Sequence, residues 1–380
     1  MKLTRTVLIL LVLAAAVCAQ EVKVTITDLL VFKNDKSVSK DYLFGMIYKV
    51  RTDSKNNIYI QEYQQGPLGN TALIKMYSPK GKYIRTIGRH GQGPGDFNSI
   101  GDFTILNNGK LLIMDRLLYR LTLYDPGKNK FEVLLSNVKD IPMNAELYGL
   151  EDDKLLVVSS DFYEKTKNLL FIKSIDMKKG FYEFGHPEIF FNKNDPAIDD
   201  KASYSKIPLN VCIIDENKLA AVPDFYDGIL AMFTREGNEW KGKRFKGAKS
   251  YLDSFAKISM EDWNKGNMNE LARLGARLKT SKGYGCIQRS GSQKIYTYKN
   301  NYILHFFRII GRSKNAQSQL DIFDMDGKYL GNNTLFWDSD DGKEVRKFTV
   351  YWKDKDDNFY IVEHDNGLPI LKKVKLELTF

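Results

Sequence analysis

The stretches GKYIRTIGRHGQGPGDF (81–97), ILNNGKLLIMD (105–115) and RLTLYD (120–125) decide the fold of this chain. Each contains an apolar run of strand length, and the polar pair Asn108-Gly109 separates two of these runs. Asparagine and glycine tolerate the positive φ angles that tight hairpin turns require. The pattern therefore predicts short antiparallel strands that are connected by tight turns.

The same unit, a polar turn followed by an apolar strand, recurs six times. The second residue of the turn is, in successive copies, Asn57, Gly109, Asp153, Asn217, Asn301 and Asn358. Strand-like runs flank each turn and further strands follow, so the unit is a four-stranded antiparallel meander. A propeller blade takes about 40–50 residues, and the longer intervals accommodate insertions. We therefore predict an all-β, six-bladed β-propeller, because a large β-sandwich or two barrels would not explain the recurrence of one unit.

The last unit predicts how the ring closes. Residues 348–352, 359–362 and 371–378 supply only three strands, whereas residues 22–32 alternate as a strand and precede the first unit without a partner. An unpaired strand edge favours pairing with another strand. We therefore expect residues 22–32 to form the outer edge of the last blade.

Residues 81–131 resemble the NHL-type repeat of six-bladed propellers. The resemblance rests on a Gly-rich link that runs to Gly-x-Phe at 95–97, a turn at Gly109, a strand that ends at Asp115 and a strand that ends at Tyr124. It is good over these residues and loose over the other units. The chain is most similar to secreted bacterial six-bladed propellers with degenerate NHL units. This resemblance implies a fold and a binding habit, but no single activity, because that fold hosts binders, lyases and lactonases.

The first nineteen residues are typical of a secretory signal peptide. Lys2 and Arg5 precede an unbroken apolar run over 7–17, and small residues suit a cut after Ala19. A membrane anchor would need about 20 apolar residues, and lipidation through Cys18 is the alternative that a poor lipobox disfavours. We expect an extracytoplasmic protein, periplasmic or secreted, in which residues 20–380 form one propeller domain.

Composition and charge exclude several classes of function. The chain is 43% hydrophobic and 27% charged, which is typical of a globular protein. Beyond the leader no apolar run could span a bilayer, so we predict no transmembrane segment. The formal charge of +10 is spread along the chain, and we expect no nucleic-acid partner. After cleavage Cys212 and Cys286 remain, either paired or as two buried thiols, and we expect a monomer.

Residues 250–281 interrupt the repeat between the fourth and fifth units. Ser259 to Asp262 resemble a capping box, and apolar residues follow at near-helical spacings, although Gly266 and Gly275 weaken a helix. We predict two short helices or one kinked helix. The insertion joins the fourth strand of one blade to the first strand of the next. In propellers that connection shares a face with the second-to-third-strand loops, so the insertion would form a lid or wall there, or a decoration packed on the rim.

The loops on that face, with the Gly-rich link, contain the candidate ligand-binding residues. These are Arg89, His90, Arg116, Tyr119, Asp161, Tyr163, Asp224, Tyr226, Arg308 and His364. Asp, Arg, Tyr and His are typical of ligand pockets at propeller mouths, although each also has an ordinary structural explanation. We predict that the protein is a non-enzymatic binder of a protein, peptide or glycan ligand at the mouth of its central channel.

Catalytic and metal-binding motifs are weak in this sequence. We predict no catalytic residue, because Ser-His-Asp chemistry lacks a Gly-x-Ser-x-Gly motif. A zinc site would need three of His90, His186, His305 and His364 to converge. We predict no cofactor and no metal ligand. The alternative is a hydrolase or lyase that holds Ca or Zn in the channel, and it requires a Glu or Asp and further Asn or His side chains that point into the channel.

Overall fold

The fold is that of a computed structural model of the chain. It describes residues 20–32, 45–66, 69–136, 145–159, 168–190, 208–224, 228–247, 255–265, 276–279, 284–288, 290–309, 317–335, 348–365 and 368–380. These residues form six blades of a β-propeller, each a four-stranded antiparallel sheet. In five blades the four strands are consecutive in the chain, and in the last blade the N-terminal β2 supplies the fourth; β1 adds a short fifth strand, in parallel, to blade 5. The predicted fold class is therefore confirmed.

Two N-terminal strands precede the first two blades. The chain starts with β1 (Gln20–Glu21) and β2 (Lys23–Phe32). Blade 1 consists of β3 (Met46–Thr52), β4 (Ile58–Gly66), β5 (Gly69–Tyr77) and β6 (Tyr83–Ile87). The following link contains β7 (Arg89–His90) and β8 (Asp96–Phe97). Blade 2 consists of β9 (Ile100–Ile105), β10 (Leu111–Asp115), β11 (Arg120–Asp125) and β12 (Lys130–Ser136).

The third and fourth blades follow the same order. Blade 3 consists of β13 (Glu146–Gly149), β14 (Lys154–Val158), β15 (Leu170–Ser174) and β16 (Gly180–Phe184). A 3-10 helix, Pro187–Ile189, comes after it. Blade 4 consists of β17 (Leu209–Asp215), β18 (Lys218–Pro223), β19 (Ile229–Glu236) and β20 (Glu239–Lys246).

An inserted segment separates blade 4 from the last two blades. It contains β21 (Phe255–Ser259), α1 (Met260–Lys265), β22 (Ala276–Lys279) and β23 (Tyr284–Gln288). Blade 5 consists of β24 (Ser290–Tyr298), β25 (Tyr302–Ile309), β26 (Gln317–Asp324) and β27 (Tyr329–Thr334). Blade 6 consists of β28 (Phe348–Lys353), β29 (Asn358–Asp365), β30 (Leu368–Thr379) and the N-terminal β2.

One apolar cluster fills each of the six blade interfaces. Both faces of a blade are covered by its neighbours, so the second strands are apolar without alternation, as in β10, where every residue is buried. The clusters include Tyr59 with Ile113, Leu112 with Leu147, Leu156 with Phe233, Ala220 with Ile303, Leu304 with Phe359, and Tyr360 with Ile60. These side chains come from blades 1–2, 2–3, 3–4, 4–5, 5–6 and 6–1 respectively, so the core is a closed ring.

The recurring polar turns have the predicted backbone conformation. Positive φ angles occur in the turns of five blades, at Asn56, Gly109, Asp153, Asn300 and Asp357. In the blade 4 turn, the Asp215 carboxylate instead accepts a hydrogen bond from the Asn217 N–H at 2.7 Å. Asn, Asp and Gly therefore occur in every turn, because they tolerate positive φ angles or because their side chains form hydrogen bonds to the turn backbone.

The N-terminal strand closes the ring as predicted, and it also reaches the preceding blade. β2 pairs antiparallel with β30 at the outer edge of blade 6. β1 adds in parallel to β27, at the edge of blade 5. Between them Val22 is fully buried, its N–H donates to the Asn332 carbonyl at 3.1 Å, and its own carbonyl accepts from Asn333 Nδ2 at 2.7 Å. The N-terminus therefore bridges two blades.

The described part of the insertion contains one short helix and three strands, so the predicted two short helices or one kinked helix are not confirmed. The expected cap is present, since the Asp262 N–H donates to Ser259 Oγ at 3.0 Å, but α1 ends at Lys265. β21, β22 and β23 instead form a small antiparallel sheet, against which α1 packs. Pairing with β23 satisfies the backbone of β22, so tertiary pairing outweighs its helical spacing. The expected position of the insertion as a lid stays a prediction.

Candidate functional site

The first strand of each blade lines a central channel. Over the part of the chain that the structure describes, the first strands contact one another at five of the six blade junctions, all but that between blades 3 and 4. We call the side of the ring where these strands begin the upper face. It also carries the loops that join second to third strands, as in 116–119. The opposite, lower face carries the turns between first and second strands. A cavity of about 440 Å³ occupies the channel at the upper face, which is a size that suits a small ligand or the end of a larger one.

Strand register identifies the residues at one level of the channel, here called the upper belt. Each of these residues pairs with a residue of the second strand of the same blade. That partner lies three positions after the first buried residue of the second strand, as Gln61, the partner of Lys49, lies three positions after Ile58. The upper belt consists of Lys49, Asp102, Glu146, Asn210, Lys294 and Thr349. The same level is therefore polar in every blade.

A second level, the lower belt, lies two residues further along the first strand in blades 1 to 5, and three residues further in blade 6, where the bulge at Tyr351 adds one. Each of its members pairs with the residue directly after the first buried one of the second strand. The lower belt consists of Arg51, Thr104, Tyr148, Cys212, Tyr296 and Trp352. Three of these six residues are aromatic and one, Arg51, is a cation.

A buried ion pair joins blades 1 and 2 in the upper belt. Lys49 is paired with Asp102, and both are at least nine-tenths buried. Asp102 also accepts hydrogen bonds from the backbone N–H of Phe103 at 2.7 Å and of Leu147, in blade 3, at 2.6 Å. Burial lowers the pKa of Lys49, and the Asp102 carboxylate offsets only part of that effect. Asp102 therefore holds three blades together at the channel wall.

Glu146 is an ionised carboxylate in a cationic setting. The Tyr148 hydroxyl donates to Glu146 Oε2 at 2.7 Å, and Lys294 Nζ lies 3.6 Å from Oε1. Burial opposes the charge, but Lys294, Lys49 and Arg51 together hold the pKa of Glu146 below its ordinary value. Burial and the Glu146 charge raise the pKa of Tyr148. The pair is therefore a carboxylate with a neutral phenol.

Four cations and two carboxylates face the upper cavity. The cations are Lys49, Arg51, Arg116 and Lys294, and the carboxylates are Asp102 and Glu146. Cavity walls of low dielectric focus the resulting positive potential. The arrangement is suited to holding an anionic group and to donating hydrogen bonds.

β-Bulges aim several of the wall residues. The register of the first strand shifts at Tyr48, Gly101, Gln293 and Tyr351 in blades 1, 2, 5 and 6. Tyr48, Gly101 and Tyr351 line the upper cavity. Bulges commonly re-aim side chains beside functional sites. Here they turn two tyrosines toward the mouth, and Tyr48 is 46% exposed there.

Of the predicted ligand residues, Arg116 lines the upper cavity. Its guanidinium donates to the Gly101 carbonyl at 3.2 Å. Tyr119 is exposed on the same loop with a φ of 48°. Arg89 is exposed and pairs with Asp96 at 2.7 Å, and His90 is also exposed. The structure therefore brings Arg116 to the channel and does not place these other three among the residues that line it.

The remaining predicted residues have structural contacts or lie outside the described residues. The Arg308 guanidinium donates to the Phe348 carbonyl at 2.9 Å and to Thr349, which links blades 5 and 6. The Asp224 backbone bonds to Pro208 and Ser292. The side chain of His364, and all of Asp161, Tyr163 and Tyr226, lie outside the described residues.

The described histidines and cysteine are placed as structural groups. His305 is fully buried, 2.7 Å from Ser292 Oγ, and burial lowers its pKa to about 3. His186 is exposed beside Glu188. Cys212 is a buried free thiol whose pKa burial raises to about 12. The Cys286 side chain lies outside the described residues. Within the described ranges, no three His, Cys, Asp or Glu side chains group as metal ligands.

Sequence reasoning missed both belts. It searched the loops for ligand residues, whereas the belt residues lie inside the first strands. The available signal was charge in strands that should be buried, such as Lys49 and Arg51 in MIYKVRT (46–52) and Asp102 in IGDFTI (100–105). Charged side chains are rarely buried unless they are paired or serve a function.

Comparison with known proteins agrees with the six-bladed fold. Residues 38–214 match the family model DUF5128, which is described as a 6-bladed beta-propeller. The match spans blades 1 to 3 and most of the first strand of blade 4. With the six sheets above, it shows that the protein is a six-bladed β-propeller. No curated protein matches the chain in sequence.

Solved structures show the same fold over nearly the whole chain. A member of the DUF4221 family from Bacteroides vulgatus has a TM-score of 0.57 at 13% identity, with 94% of this chain and 99% of that chain covered. A candidate exported protein from Bacteroides fragilis has a TM-score of 0.54 at 13% identity, with 94% and 95% covered. A virginiamycin B lyase from Staphylococcus aureus has a TM-score of 0.42 at 8% identity, with 93% and 99% covered. For the two Bacteroides proteins, the likeness at these identities extends to the fold alone. Among the described residues no helix is long and apolar enough to cross a membrane.

Proposed function

We propose that the protein is a non-enzymatic, exported binding propeller that captures a protein, peptide or glycan ligand at the upper mouth of its channel. The observation that carries this proposal is the upper cavity of about 440 Å³, whose charged and aromatic wall is built from all six blades. Donors, acceptors and rings at one mouth provide the mixture of polar and apolar contacts that ligand pockets use. The leader-like residues 1–19 support export.

A binding experiment with a matched control tests this proposal. The chain without residues 1–19 is applied to peptide and glycan arrays, together with the variants Tyr48→Ala and Val133→Ala. Both side chains are exposed, but Tyr48 stands at the mouth and Val133 lies on an outer strand. We expect at least one class of array feature to bind the parent and the Val133 variant, and to bind the Tyr48 variant about tenfold more weakly. Equal binding by both variants, or no bound feature, contradicts the proposal.

The alternative is a divalent-metal-dependent hydrolase or lyase in the same channel. One observation favours it, because Asp102 and Glu146 both face the upper cavity. Each carboxylate is, however, engaged by a lysine, and Asp102 also binds two backbone N–H groups. A metal ion would have to displace these cations. Metal analysis of purified protein distinguishes the two functions: a stoichiometric Ca or Zn content that Glu146→Gln abolishes would favour the enzyme.

A further inference from the structure

Arg51 is a buried charge that no described carboxylate contacts directly, although it interacts with Glu146 at longer range. It is 3% exposed, yet no carboxylate of the described residues forms an ion pair with it. Among those residues its one hydrogen bond is from NH1 to the carbonyl of the adjacent Val50, at 3.1 Å. A guanidinium has five N–H donors, so most of its donor capacity is left for another group. Burial of a charge in this state is costly unless something pairs with it.

Aromatic rings hold the Arg51 guanidinium in place without satisfying its donors. Its central carbon lies 4.2 Å from the Trp352 ring centroid and 5.7 Å from that of Tyr148. Cation–π contacts stabilise the charge, but they act on the face of the guanidinium. The donors lie at its edge, so the fork stays available in a fixed orientation.

Two other arginines, Arg120 and Arg308, are used differently. Arg120 donates to the carbonyls of Gln92 and Asp96, and Arg308 bonds to two residues of the next blade. These contacts link segments that are distant in sequence. Arg51 makes no such link through its hydrogen bonds, so a purely structural role does not explain it.

The position of Arg51 gives a ligand access from the channel. It lines the upper cavity and also a lower one of about 530 Å³, and so lies where the two adjoin, at a position here called the throat of the channel. A group that enters from the upper mouth passes Lys49 and Lys294 before it reaches the guanidinium.

We infer that Arg51 binds a carboxylate at the end of the ligand, at the throat of the channel. A planar carboxylate matches the two parallel donors of a guanidinium, and the surrounding cations favour its charge. This inference rests on the proposed function and specifies which chemical group the site recognises. A larger ligand could bring the carboxylate as a peptide terminus or on a sugar acid.

Thermal unfolding with small probes tests the inference. Acetate replaces chloride at constant ionic strength, and further arms compare N-acetyl-trialanine with its C-terminal amide, and methyl glucuronide with methyl glucoside. The proteins are the parent, Arg51→Gln, Arg51→Lys and the control Arg235→Gln. Arg235 also stacks on a ring, that of Tyr182 at 5.4 Å, but it is not among the residues that line the upper cavity.

We expect acetate and at least one larger acid to raise the Tm of the parent and of the control by about 2 °C, and their neutral counterparts to have no such effect. Arg51→Gln should weaken the acids at least tenfold, and Arg51→Lys should restore part of the binding, since it keeps the charge but not the fork. The larger acid that binds identifies the source of the carboxylate.

Two results would overturn the inference. One is that acids raise the Tm of the parent no more than their neutral counterparts do, and the other is that acids raise the Tm of both Arg51 variants as much as that of the parent. Array binding without any preference for acids would leave the proposed function standing while this inference fails. If acids bind at Arg51 but no array feature binds, the inference stands and the proposed function fails.

Discussion

Removal of the Asp102 carboxylate should cost more stability than any surface ion pair provides. Asp102 is 1% exposed, Lys49 is 8% exposed, and the two form an ion pair across blades 1 and 2. Without Asp102, Lys49 would be buried near the like charge of Arg51. Breaking one partner of a buried pair typically costs about 3–5 kcal/mol. We expect Asp102→Ala to lose that amount, because it also deprives the Leu147 N–H of its acceptor.

Urea unfolding of a variant series measures this cost. Asp102→Asn should lose less than Asp102→Ala, because an amide oxygen still accepts one backbone hydrogen bond. Lys49→Met added to Asp102→Asn should recover at least half of the loss, since it removes the unpaired charge. The control is Asp326→Ala, whose pair with Lys218 is at the surface, with Asp326 90% exposed. A surface pair of this kind is typically worth about 0–1 kcal/mol.

The pH dependence of the series provides a second check. Loss of Asp102 removes the group that raises the pKa of Lys49, so the folded protein would bind fewer protons than the unfolded chain. The free energy of unfolding of Asp102→Asn should therefore increase as the pH rises toward the pKa of a free lysine. The reasoning is refuted if Asp102→Asn unfolds within about 0.5 kcal/mol of the parent, or if Lys49→Met gives no recovery.

Three further predictions concern the N-terminal bridge at Val22, a buried histidine and a buried thiol. Val22→Asp should cost at least about 2 kcal/mol in urea unfolding, because Val22 is fully buried between blades 5 and 6, and an unchanged midpoint would contradict its role as a bridge. His305 has a folded pKa of about 3, so the unfolded chain takes up its proton first as the pH falls below about 6.5. Stability should thus decrease from pH 6.5 toward 3, and His305→Gln should flatten the slope between pH 6.5 and 5, by up to about 1.4 kcal/mol per pH unit. Cys212, with a pKa of about 12, should react with a thiol reagent only after unfolding. Rapid labelling of native Cys286→Ser protein that lacks residues 1–19, and therefore Cys18, would contradict its burial.

Short-range chemistry made much of the fold predictable. The turns at Asn56 and Gly109 require positive φ, and only a few residue types tolerate it, so the repeat could be counted from sequence. The closing strand β2 was predictable because its alternation and an incomplete last blade pointed to each other. β1 was not predictable, because a strand of two residues has no periodicity. Its pairing with β27 depends on where the pairing of β2 with blade 6 places the preceding residues.

The insertion and the channel were harder for different reasons. Residues 276–279 have helical spacing with their neighbours, but β23 lies close enough to pair with them, so tertiary contact decided the outcome. The channel belts depend on distant parts of the chain. Lys49 and Asp102 are 53 residues apart, and only the ring brings them together. Arg116 was accessible to sequence reasoning because it lies in a loop of the upper face.

Tryptophan fluorescence tests binding at the channel throat most directly. Trp352 is in contact with the Arg51 guanidinium, at 4.2 Å, so a carboxylate that reaches this arginine must change the environment of the indole. Titration with N-acetyl-trialanine or methyl glucuronide, whichever acid raises the Tm, should give a saturable change in emission that Trp352→Phe abolishes and Arg51→Gln shifts to at least tenfold higher concentration. A saturable change that survives in Trp352→Phe, or that is equal in Arg51→Gln, would show that the acid binds elsewhere and would contradict the assignment of the ligand site to the channel.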